Sequence, residues 1–116
     1  MINFVSSSRY KINKKSLKDF LSEIVSKLGV SPDLTINVIF IGKNKMRKLA
    51  LSYKKEYVAL PVLSFPYKGE VFEGEPVLGE IFICYPQVIL LAAERNRKVE
   101  ETIIGLIKHG IENLLK

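Results

Sequence analysis

The last stretch of the chain reads Glu101-Thr102-Ile103-Ile104-Gly105-Leu106-Ile107-Lys108-His109-Gly110-Ile111-Glu112-Asn113-Leu114-Leu115-Lys116. At about 100° per residue, Ile103, Ile107, Ile111 and Leu114 gather on one face of a helix, and that face must meet the core. His109 and Asn113 fall roughly opposite, in line with Thr102 and beside Leu106. A helix carrying His-x-x-x-His sets two imidazoles one turn apart, a geometry suited to sharing a zinc ion. Here the first position is His109 and the second is Asn113, whose neutral amide is a weak ligand for zinc. Glu112 is a stronger ligand type, but it is displaced by one residue and points about 100° away from Asn113. A histidine away from the apolar face is also the ordinary picture of a solvent-exposed helix residue.

Working outward, residues 2–5 suit a short first strand. Ser16 with Asp19 reads as an N-cap arrangement, and Leu17, Phe20, Leu21, Ile24, Val25 and Leu28 recur at helical spacing up to Gly29. Residues 34–41 are a continuous β-branched run and read as a largely buried strand ended by Gly42. Asn44 can cap a helix over about 45–54, with Met46, Leu49 and Tyr53 facing inward. Residues 61–66 are fenced by prolines, which favours an edge or terminal strand. A Gly- and Glu-rich loop follows over 67–77, then a strand over 78–84. Pro86 can open a helix over about 86–95, and Asn96-Arg97-Lys98 turns the chain into the final helix from about 99. The order mixes β-β with β-α steps, so the expected fold class is α+β: a small mixed sheet of about four strands packed with helices. Ile39, Phe65, Ile81, Ile103 and Ile107 are expected in the core.

At 116 residues the chain is expected to form a single domain over 1–116. No apolar run has the length of a membrane span, and the N-terminus lacks the basic and long apolar regions of a secretory signal. The single cysteine, Cys84, has no partner for an internal disulfide. It reads as a small buried hydrophobe in a protein of a reducing, cytoplasmic setting. Phosphate-binding and dinucleotide-binding glycine motifs are absent, as is any Ser-His-Asp arrangement with recognisable context. Nothing places Cys84 beside His109 as a nucleophile pair.

Charge is unevenly distributed. Residues 1–58 hold twelve Lys/Arg against four Asp/Glu, while residues 59–116 hold six against eight. Six cations (Lys43, Lys45, Arg47, Lys48, Lys54 and Lys55) fall between positions 43 and 55 with no acid among them. Such a cluster attracts a polyanion by counterion release, or it is a solvated helix face. Composition leaves both open.

Met46-Arg47 with Leu49, Tyr53, Val62-Leu63-Ser64-Phe65-Pro66, Leu78-Gly79-Glu80-Ile81, and His109-Gly110 with Leu114-Leu115 form a set of short motifs. Together they resemble the YbeY family of single-strand-specific, metal-dependent endoribonucleases of bacterial ribosomal RNA maturation. The likeness runs in register over nearly the whole chain and implies a zincin-like fold, zinc as cofactor and ribosomal RNA as partner. Ribosome-assembly proteins are further partners it suggests; no membrane and no DNA are expected. Carried over residue by residue, it matches His109 to the first of three zinc histidines. Asn113 stands at the second, Lys116 at the glycine that follows it, and the third position lies past Lys116. The helix reaches Lys116 with no Gly or Asn cap, as truncation or natural shortening would leave it. Lys54 stands where the family has an RNA-handling arginine, keeping the charge and losing the planar fork. Leu60-Pro61 replace a Thr-Asp pair, and Glu80 replaces an Asp.

The resemblance therefore implies His109 and Lys54 as catalytic positions and His109 as the sole metal histidine. The six cations at 43–55 become RNA-binding candidates. Two functions remain open: an endoribonuclease with an incomplete zinc site, and a catalytically inactive relative that binds ribosomal RNA or an assembly partner through its basic face. A globular domain with no nucleic-acid role is a third.

Overall fold

The computed structural model describes all residues except 68–70 and 73–74, with backbone alone at 71–72 and 75–76. The element order is β1 (Ile2–Val5), α1 (Lys14–Lys27), β2 (Thr35–Ile41), α2 (Lys43–Lys54), β3 (Val62–Pro66), β4 (Val71–Phe72), β5 (Glu75–Cys84), α3 (Tyr85–Glu94) and α4 (Val99–Leu114). The sheet runs β1-β2-β5-β3, with β1, β2 and β5 parallel and β3 antiparallel to β5. The short β4 pairs with the start of β5. This is the expected α+β architecture with a mixed sheet, and β3 occupies the expected edge. The strand expected from residue 78 begins at Glu75, and the loop expected over 67–77 falls partly on 68–70 and 73–74, outside the described residues.

Both faces of the sheet are covered, which is why β2 reads as a mostly apolar run, interrupted at Asn37, whose Oδ1 accepts from Asn3 Nδ2 at 3.3 Å. On one face Ile36, Val38 and Phe40 of β2 join Ile81 and Ile83 of β5 beneath Leu17 and Leu21 of α1 and Ile103, Ile107 and Ile111 of α4. On the other, Ile41 and Cys84 pack with Leu63 and with Met46 of α2. Alternation along each strand sends neighbouring residues to opposite faces. Ile81, Ile103 and Ile107 are buried as expected; Ile39 and Phe65 are only partly buried, at the margin of the second cluster. Cys84 is fully buried, and burial pushes its thiol above the usual range, partly offset by a hydrogen bond from the Gln87 backbone and by the charges of Lys43 and Arg47.

Several local expectations are corrected. Asn13, not Ser16, caps α1: its Oδ1 accepts from the Ser16 backbone N–H at 3.0 Å. The Ser16 hydroxyl instead donates to Glu100 Oε1 at 2.5 Å, tying α1 to the first turn of α4. Gly42 caps α2 without a side chain, and Asn44 Oδ1 accepts from Arg47 Nη1 at 2.9 Å. Phe20 is exposed, because the apolar stripe of α1 narrows to Leu17 and Leu21. Thr102 is buried although its helical phase sets it opposite the core. α3 packs on that flank of α4, and the Thr102 hydroxyl donates to the Lys98 carbonyl at 3.1 Å. Tyr53 is 64% exposed. It belongs to the last turn of α2, where only the edge strand β3 lies beneath it.

Candidate RNA-handling surfaces

Three of the recurring motifs meet where α4 crosses β3 and β5. A methyl group at Gly79 would lie 2.5 Å from the Phe65 carbonyl oxygen and 2.6 Å from Leu114 Cδ2. One at Gly110 would lie 2.9 Å from Ile81 Cδ1 and 3.1 Å from Ser64 Oγ. At Gly79 both distances are too short for a carbon atom, and at Gly110 the neighbours would have to give way, so each glycine lets the helix approach the sheet closely. The glycines in Leu78-Gly79-Glu80-Ile81 and His109-Gly110, together with Val62–Pro66, thus set how α4 sits on the sheet. Glu80 is engaged by the hydroxyl of Tyr67.

Gly110 faces inward and His109, its neighbour, is exposed. Asn113 Nδ2 lies 3.3 Å from His109 Nε2. With the amide donating, Nε2 is an acceptor and the ring proton sits on Nδ1. A cavity of about 370 Å³ opens beside this pair, lined by Arg95, Arg97, Glu101, Thr102, Gly105, Leu106 and His109. Arg95 and Arg97 went unnoticed in the sequence because they sit on the turn before α4. The available signal was that turn itself: it folds α3 back on α4 and returns its flanks to the Thr102–His109 side.

Zinc normally takes three or four protein nitrogen, sulfur or carboxylate ligands. Among the described residues no group of three or more His, Cys, Asp or Glu side chains converges. His109 Nε2 meets an amide rather than a second imidazole. The donor set present does not fit zinc.

The six cations lie on α2 and its C-cap, on the opposite side of the sheet from α4. The sheet therefore lies between Lys54 and His109. Lys45, Lys48, Lys54 and Lys55 are exposed, while Lys43 and Arg47 are partly buried beside Cys84. Among the described residues the ion pair formed is Lys27 with Glu23, at 3.8 Å, so none of the six is neutralised by a carboxylate. Two placements oppose helix stability. Lys43 and Lys45 occupy the first turn of α2, which holds no acid, so their charges add to the positive end of the helix dipole. Lys55 adopts φ 61°, a left-handed conformation that favours glycine.

A sequence profile of the family described as Endoribonuclease YbeY matches residues 3–115. The chain belongs to the YbeY family. It is 33% identical over 115 residues to the Endoribonuclease YbeY of Thermotoga neapolitana, covering 98% of this chain and 71% of that protein. It is 32% identical over 117 residues to that of Thermodesulfovibrio yellowstonii, covering 96% and 74%. The solution structure of TM1509 from Thermotoga maritima superposes with a TM-score of 0.68 at 29% identity, over all of this chain and 73% of the other. The chain thus shares the fold of that structure over its whole length. No described helix is long and apolar enough to cross a membrane.

Proposed function

We propose that this chain acts on ribosomal RNA during ribosome maturation in the cytoplasm, and that it holds the RNA backbone through α2. The relatives are endoribonucleases by name, which makes RNA the substrate class to expect. The observation that carries the proposal is the unpaired charge of α2. None of the six cations has a carboxylate partner, and Lys43 and Lys45 stand at the end of the helix dipole that disfavours them, so helix stability does not account for the cluster as a whole. They do suit a row of phosphates, whose counterions are released on binding. Ribosome-assembly proteins are secondary partners for the same face. Reversing charge at Lys45 and Lys48 tests this: both side chains are exposed, so Lys45→Glu with Lys48→Glu leaves the core intact and weakens RNA binding. Unchanged affinity in that double variant sinks the proposal.

A second reading is supported by the cavity at His109. An imidazole whose free nitrogen, Nδ1, carries the proton, opening beside two arginine residues, is the side-chain chemistry of a general acid that protonates the leaving oxygen of a phosphodiester. On this reading the chain cleaves RNA as its relatives' names state, with His109 as catalytic residue and Arg95 and Arg97 as the cations of its cavity. Cleavage of a ribosomal RNA fragment, assayed with and without added zinc, is lost in His109→Ala. Cleavage that persists in that variant rejects His109. Absence of cleavage by the unaltered protein leaves the inactive, RNA-binding relative.

A further inference from the structure

The C-terminal turn of α2 combines an open aromatic ring with unpaired cations. Tyr53 packs against Phe65 of β3 with ring centroids 4.4 Å apart, and Phe65 is braced edge-on by Phe82 at 5.6 Å. The ring is therefore braced by a tilted contact, at 58° between the planes, with a pair of rings rooted in the sheet, yet the residue remains 64% exposed. Lys54 and Lys55 follow it directly, and Tyr57 is 61% exposed just beyond, with Glu56 the one acid in the segment. A ring fixed on one side and open on the other is what a base needs in order to stack, and neighbouring ammonium groups meet the adjoining phosphates. Lys55 strengthens the case. A glycine would relieve its φ of 61°, but a glycine would also remove a charge from this edge.

We propose that Tyr53 is a stacking platform for one unpaired RNA base, with Lys54 and Lys55 holding the phosphates that flank it. The platform rests on the assignment of α2 as the phosphate-binding face and deepens it by naming the residue that meets an unpaired base. A base within a duplex has no free face to offer.

The test is binding of a labelled oligo(A) strand, followed by fluorescence anisotropy across a salt series. Tyr53→Ala lowers affinity by about tenfold while leaving the salt slope unchanged, because a ring is lost and no charge. Tyr53→Phe binds as the unaltered protein does. Lys55→Gly reduces the salt slope by about 0.7 while raising the melting temperature. An abasic strand of the same length binds the unaltered protein about as weakly as oligo(A) binds Tyr53→Ala, a readout that needs no variant to fold. If Lys45→Glu with Lys48→Glu weakens binding but Tyr53→Ala and the abasic strand do not, the platform is overturned and the phosphate face stands. That result would reassign the exposed rings to a protein partner. If the unaltered protein shows no salt-dependent RNA binding, both fall together.

Discussion

Asn113 Nδ2 sits 3.3 Å from His109 Nε2, one helical turn along α4. The ring nitrogen that would face a metal is met by an amide, and the amide occupies the place of a second imidazole. The scaffold around the pair is kept, from Gly110 pressed against Ile81 to Gly79 beneath Leu114.

Restoring Asn113→His gives α4 two imidazoles at i and i+4, which is still one ligand short of an open catalytic zinc site and two short of a closed one. Isothermal titration with zinc then shows only a modest gain in affinity. Tight stoichiometric binding by the single variant would mean that a further ligand reaches this face.

The glycines of α4 differ in a way that thermal melts can read. Gly110→Ala forces a methyl group against Ile81 and Ser64, and costs about 1–3 kcal/mol. At Gly105 nothing lies within 4 Å, so Gly105→Ala is stabilising by roughly 0.5–1 kcal/mol. Equal effects at the two positions would mean that α4 does not approach the sheet as described.

Much of this fold could be read from the chain, and the reasons are local. The β-branched run at 34–41 has one good solution, a strand covered on both faces. The four-residue spacing of Ile103, Ile107 and Ile111 likewise has one, a helix packed along that line. What was not legible depended on neighbours. Asn13 rather than Ser16 caps α1 because the helix starts at Lys14, which puts Ser16 inside the first turn, where its hydroxyl meets Glu100, 84 positions away. Thr102 is buried because α3 folds back over it. Tyr53 carries an inward helical phase, but its turn lies over an edge strand and leaves the ring open. Arg95 and Arg97 line the His109 cavity through a turn whose direction no periodicity encodes. The motifs that gave away the family report packing, at Gly79 and Gly110, more than chemistry.

Cys84 offers a check on the second core cluster. Burial raises its thiol pKa, so the folded protein keeps the thiol protonated where the unfolded chain, near 8.5, begins to ionise. Stability from this group is fully present below the unfolded value and is lost as pH rises toward the folded one. A thiol-specific reagent at neutral pH therefore labels Cys84 only on unfolding. Rapid labelling of the native protein would show that the seam between α2 and β5 opens.

The claim that matters most is that α2 is a phosphate-binding face. Its most direct test is the affinity of the unaltered protein for a single-stranded ribosomal RNA fragment, measured over a series of salt concentrations. Each phosphate contacted on a single strand contributes about −0.7 to the slope of log K against log salt, so engagement by three or more of the six cations predicts a slope of about −2 or steeper. A slope near zero, or no measurable binding at low salt, would contradict it and leave the lysines of α2 as an ordinary solvated surface.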